Sequence, residues 1–161
     1  MKMKMRRFKQ LLPEDESLEI LRDGSNAILA LQGDEEYPYA VPVSYVLDGE
    51  NIYIHSALAG HKIDCISYNP NVSLCVVKED NVVPEEFTTY FKSVIVFGRA
   101  SFITDKEEMI YGLRLLGDKY SPGIDSTDEI AKCLSRVAVI KIEIDSFTGK
   151  EAIELTRMRN K

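Results

Sequence analysis

Tyr39-Ala40-Val41-Pro42-Val43-Ser44-Tyr45-Val46, followed by Asp48-Gly49 and then Asn51-Ile52-Tyr53-Ile54-His55-Ser56, is the stretch on which the fold turns. The first run has the composition of a strand, and Asp-Gly between two such runs is a strong hairpin signal. Just upstream, residues 26–31 carry Ala-Ile-Leu-Ala-Leu and end at the polar turn Gly33-Asp34-Glu35-Glu36. Together the three runs predict a three-stranded antiparallel meander. Pro42 in the middle run lacks an amide, so it marks an edge, a bulge or a place where the sheet opens for a ligand.

Working outward, Pro13-Glu14-Asp15-Glu16 opens a helix, because proline suits a first turn and acids suit its dipole. Leu18, Ile20 and Leu21 share one side of it, and Gly24 ends it. Residues 59–68 carry Ile63 and Ile66 on a helical period and stop at Asn69-Pro70, which predicts a short helix. Residues 72–77 predict a fourth strand, an acidic loop follows, and a long β-rich run covers 88–103. Thr104-Asp105-Lys106-Glu107 starts a helix capped by Asp105 or Thr104, with Met109, Ile110, Leu113 and Leu116 as its buried stripe. A loop with Pro122-Gly123, a short helix over 127–134 and a sixth strand over 136–144 complete the chain. Val137, Val139 and Lys141 share a face of that strand. Strands predominate and no strand–helix–strand alternation appears, which excludes a doubly wound parallel sheet. The expectation is a mainly β (α+β) fold, a six-stranded antiparallel barrel with short flanking helices, in a single domain over residues 1–161.

The chain has 161 residues and a mass of 18.2 kDa, with 29% charged and 45% apolar residues, an ordinary globular composition. Its net charge is 20 − 26 = −6. The basic residues Lys2, Lys4, Arg6, Arg7 and Lys9 crowd an arm over residues 1–12, and Arg157, Arg159 and Lys161 crowd the end. The body between is acidic, so nucleic acid is not an expected partner. No apolar run approaches the ~20 residues of a membrane span, and no signal-peptide core follows the basic start. A cytoplasmic chain with no membrane contact is expected. Cys65, Cys75 and Cys133 form no CxxC pair and read as buried free thiols.

Phosphate-loop, dinucleotide-binding and hydrolase-elbow motifs are absent. Both histidines, His55 and His61, fall within "HSALAGHK", at a strand end and a helix start. Ser56, Gly60, His61 and Lys62 there offer a hydroxyl, a free amide, an imidazole and an ammonium, a set suited to an anion such as phosphate. The bland reading makes Ser56 a helix cap and Lys62 a solvated lysine. His61 and Cys65 have the i, i+4 spacing of two zinc ligands, but nothing nearby supplies the other two, so no metal site is expected. A Ser–His–Asp set from Ser56, His55 or His61, and Asp64 would have to come from near neighbours, which such triads seldom do.

The ordered pieces "MRR" (5–7), "PYAVPVSYV" (38–46), "IYIHSALAGHKID" (52–64), "NPNV" (69–72), "YFKSVIVFGRA" (90–100) and "TGK" (148–150) carry a wider likeness. Together they resemble the nitroimidazole-resistance (Nim-type) branch of the pyridoxamine 5′-phosphate oxidase-like flavin-binding proteins. The resemblance implies a split β-barrel, a homodimer, and a flavin mononucleotide (FMN) in each of two clefts between subunits, with the dinucleotide FAD as the alternative. It places the flavin ring along Val41, Pro42, Val43, Ser44 and Tyr45, whose backbone groups meet the pyrimidine edge. It puts the phosphate at Ser56, Ala57, His61 and Lys62; relatives in the wider superfamily have an Arg-Lys pair where this chain has His61-Lys62. His55 falls beside the flavin, as the substrate-facing and catalytic candidate. Tyr90, Lys92 and Ser93 match a strand lining the same cleft. No clear counterpart of the substrate-phosphate arginine and histidine group of the true oxidases is present. The implied activity is reduction of small electrophiles, nitroaromatic compounds in particular. The rival readings are a flavin carrier or sensor without turnover, and a haem-binding split barrel with His55 or His61 as axial ligand.

Overall fold

A computed structural model describes residues 4–161, so Lys2 and its two methionine neighbours in the basic arm lie outside the described residues. Helix α1, Glu14–Asp23, starts after Pro13 with Glu14, Asp15 and Glu16 in its first turn, and Gly24 caps its end. Strands β1 (Ala27–Leu31) and β2 (Tyr39–Val43) pair antiparallel, and β3 (Val46–Asp48) pairs with β4 (Asn51–Ala57) through the expected turn. Helix α2, His61–Tyr68, leads into β5 (Asn71–Val83), which forms a long hairpin with β6 (Thr88–Phe102). Helices α3 (Lys106–Tyr120) and α4 (Thr127–Cys133) precede β7 (Val137–Glu151), and α5 (Ile153–Arg159) closes the chain. Asp105, not Thr104, caps α3, its carboxylate accepting the Glu108 amide at 2.9 Å.

The sheet runs β2-β1-β5-β6-β7-β4-β3, antiparallel throughout. Its two edge strands, β2 and β3, are joined only by Ser44 and Tyr45. A sheet whose edges are two residues apart in the chain must curl until they meet, which gives a barrel split along that seam. The split-barrel expectation therefore holds, with seven strands in place of six. The meander does not form: the run over residues 39–46 breaks at Ser44-Tyr45, so that β2 and β4 never pair. Tyr45 is the cause. Its buried hydroxyl donates to the Leu21 carbonyl at 2.6 Å, its amide donates to the Tyr120 hydroxyl oxygen at 2.9 Å, and its carbonyl accepts from Lys119 Nζ at 2.9 Å. With its backbone groups engaged by α3, Tyr45 has none left for a strand ladder. Pro42 sits on an edge strand, where its missing amide costs no central ladder bond.

Alternation then sorts the side chains. Leu29, Leu31, Val43, Ile52, Ile54, Leu74, Val76, Val94, Val96, Ile140 and Ile142 fill the barrel. On the outside of β3, β4 and β7, Val46, Tyr53 and Val139 pack under Leu113 and Leu116 of α3 and Ile130 of α4. The expected acidic loop after residue 77 is instead strand, because Val82-Val83 face Thr89 and Thr88 across a register shifted at Val77/Glu79. Only Cys65 is buried; Cys75 and Cys133 are half-buried, and all three are free, since Cys75 lies on the outer face of the sheet and Cys133 at the end of α4.

Candidate functional site

β4 ends at His55-Ser56-Ala57, with His55 and Ala57 exposed and Ser56 half-buried opposite Ala138. Ser56 lies in the strand and is not the cap of α2; that position is Gly60, at φ 138°. Such a φ strains any residue with a Cβ, and the space beside Gly60 is open. The turn therefore presents bare backbone just before His61 and Lys62. His61 packs edge-on against Tyr39 of β2, ring centroids 4.5 Å apart, and this contact joins the start of α2 to the edge strand. Its Nε2 is 3.7 Å from the buried Cys65 thiol, whose pKa burial pushes up. Among the described residues no group of three His, Cys, Asp or Glu side chains is arranged to hold a metal.

Lys62 is half-buried, and among the described residues no carboxylate lies within 4.0 Å of its ammonium. Desolvation accordingly lowers its pKa. An ammonium held partly out of water without a counter-charge, at the start of an eight-residue helix, suits an anionic group. Flavin phosphate is such a group, so the residues present fit it.

The expected ring-binding segment divides in two. Val41 is half-buried, while Pro42 and Ser44 are exposed on the open edge, where β2 has a ladder partner on one side only. Val43 and Tyr45 belong to the core. Tyr90, Lys92 and Ser93 stand elsewhere. Ser93 pairs with Lys150 while His55 pairs with Val139. Those two β7 positions are eleven residues apart, ~36 Å of extended strand. Tyr90 donates to Glu86 at 2.7 Å, and Lys92 is bound to Glu16 at 2.7 Å and faces Glu79 at 3.9 Å. The structure thus brings His55, Ser56, His61 and Lys62 together at the β4–α2 turn, joins that turn to β2 through the Tyr39–His61 contact, and leaves Ser93 far along β7 from His55. A hollow of about 1050 Å³ lies between the basic arm and β6–β7, away from the β4–α2 turn.

Sequence reasoning missed the anchor of the seam, Lys119 and Tyr120. Lys119 Nζ lies 4.1 Å over the Tyr45 ring and donates to the Gly24 carbonyl as well as that of Tyr45. Nothing in a lysine near a helix end announces such a role, although the aromatic neighbour Tyr120 is consistent with it.

The chain's place among known proteins agrees with this architecture. The profile of the family described as pyridoxamine 5′-phosphate oxidase matches residues 13–151. The chain belongs to the pyridoxamine 5′-phosphate oxidase family. An uncharacterised protein of Rhizobium meliloti is 29% identical over 155 residues, covering 90% of this chain and 96% of that one. A proposed 5-nitroimidazole antibiotic resistance protein of Bacteroides thetaiotaomicron superposes with a TM-score of 0.78 at 23% identity, over 88% of this chain and 86% of that chain. A FAD-binding protein of Mesorhizobium loti gives 0.66 at 26% identity, over 88% and 96%. A FAD and heme binding protein of Mycobacterium smegmatis gives 0.74 at 23%, over 89% and 73%.

Proposed function

We propose that this protein binds FMN in a cleft between two copies of the chain and acts as a reductase of small electrophiles such as nitroaromatic and 5-nitroimidazole compounds. The observation that carries the reading is Lys62, half-buried and, among the described residues, without a carboxylate partner at the glycine-led start of α2. The family, and the flavin named for the Mesorhizobium and Mycobacterium proteins, support the choice of anion. Lys62, Ser56 and His61 would hold the phosphate, with FAD as the alternative ligand. The free edge of β2 at Val41 and Pro42 offers backbone groups, the carbonyl alone at Pro42, to a flat heterocycle's polar edge. When bound, the flavin supplies the redox chemistry. His55 presents an exposed imidazole at the end of β4 that can hand a proton or a hydrogen bond to the group being reduced.

Distance supports the two-chain cleft. If Ser93 and Tyr90 line the cleft that holds Lys62, they come from a second copy, because in one chain β7 separates the two groups. The covering surface is present. One row across the outer face runs Pro42, Ile28, Cys75, Ile95, Thr148, and the next runs Ala40, Ala30, Ser73, Phe97, Ser146. Ile28, Ile95 and Phe97 on it are 40%, 41% and 50% exposed, an apolar patch of the kind that marks an interface.

The test is stopped-flow reoxidation of photoreduced, FMN-loaded protein by a nitroaromatic acceptor. We expect His55→Ala to slow electron transfer by ~10²-fold while FMN affinity stays within about tenfold. Equal rates remove His55 from the mechanism. No acceleration over free reduced flavin in either protein identifies a carrier, and a Soret band in the purified protein identifies a haem protein.

A further inference from the structure

The β5–β6 hairpin ends in a 3-10 turn over Pro84–Glu86, closed by Phe87. Phe87 is the only described non-glycine residue at positive φ, 51°, and it is 98% exposed. Two costs therefore meet at one residue: a left-handed backbone that disfavours a Cβ, and an aromatic ring left wholly in water. Glu85 and Glu86 flank it, and the Tyr90 hydroxyl donates to Glu86 and holds the tip in place. Val82, 69% exposed, continues the apolar surface along the hairpin. The tip is an aromatic knob with an acidic collar.

A matching socket exists on the same chain. The hollow of about 1050 Å³ is lined by Phe8, Leu11, Phe97 and Phe147, with Lys4 and Arg6 contributing its positive charge and Asp145 its one carboxylate. The chain's own knob cannot enter it. Phe97 lies ten residues from Phe87 along the same hairpin arm, ~33 Å of extended strand. Phe97 also belongs to the apolar outer face assigned above to the dimer, so the socket is continuous with that surface.

We infer that Phe87 of one protomer docks into the Phe8–Leu11–Phe97 hollow of a second copy, Glu85 and Glu86 meeting Lys4 and Arg6 at the rim. A two-fold axis makes this contact twice, each chain giving a knob and a socket. This inference rests on the homodimer reading and adds to it a defined pair of contacting surfaces.

Sedimentation equilibrium of the full chain tests it. Wild type should be a dimer at micromolar concentration. Phe87→Ser should raise the dimer dissociation constant about tenfold or more, with far-ultraviolet circular dichroism unchanged because the side chain touches nothing in its own protomer. Arg6→Glu should weaken the dimer similarly, and Arg6→Glu combined with Glu85→Lys should recover wild-type association to within about threefold. A Phe87→Ser protein that dimerises like wild type overturns the docking and leaves the dimer standing. Failure of the charge-swapped pair to recover also overturns it. A monomeric wild type overturns both readings together.

Discussion

At the residue scale, the sharpest consequence belongs to Lys62. Its folded pKa lies below the ordinary lysine value because burial disfavours the charged form. For a base shifted down, the unfolded chain holds the proton more tightly, so the cost to the unliganded fold is full at neutral pH. That cost fades only as pH climbs from the folded pKa toward 10.5. A bound phosphate reverses it. Lys62→Met should therefore raise the melting temperature of the flavin-free protein while weakening FMN binding by ~10- to 100-fold, the size of a charge-assisted hydrogen bond. Riboflavin, which lacks phosphate, should bind both proteins alike, and calorimetric titration of the two ligands reads the difference. Phe87→Gly makes a separate claim: relief of the left-handed backbone should stabilise the protomer by about 1 kcal/mol in urea denaturation at a concentration low enough for both proteins to be monomeric, whereas an unstrained site would lose stability to the glycine.

At the element scale, α5 is a latch. Glu151, 1% exposed at the end of β7, accepts from Thr156 at 3.0 Å and Arg159 at 2.9 Å, and Arg159 also reaches Glu16 of α1 at 2.7 Å. Burial works to raise the Glu16 pKa, but Lys92 and Arg159 outweigh it and hold the carboxyl below its usual value. The stability this contributes is present above the ordinary carboxylate range and is lost as pH falls through the folded pKa. Arg159→Leu leaves Glu151 buried and without its ion pair, and should cost about 3 kcal/mol in denaturant titration; adding Glu151→Leu should recover most of it. None of this latch was legible beforehand. The run from Thr148 to Arg159 has no strong period, and β7 continues to Glu151 because a tertiary partner completes an otherwise unfavourable buried charge. By contrast α1, α3 and the strands around Asp48-Gly49 were readable, since caps, apolar stripes and turn residues act locally. The break at Tyr45 was not, because its cause lies 75 residues away in Tyr120.

At the scale of the whole molecule, the closeness of Ser56, His61 and Lys62 was legible from their spacing, and their use as an anion site is the proposal to be tested. Their separation from Ser93 was not, because it depends on the register of β7. In the proposed dimer the outer face of β1, β5 and β6 is a contact between copies. Ile95→Lys, at the centre of the row from Pro42 to Thr148, should give a folded monomer with intact circular dichroism and much weaker FMN binding. The most direct test is sedimentation velocity of the wild-type protein with FMN, followed at both the protein band and the visible flavin band. Flavin absorbance should travel with the dimer at one FMN per chain. Flavin travelling with a monomer, or not travelling with the protein at all, would contradict it.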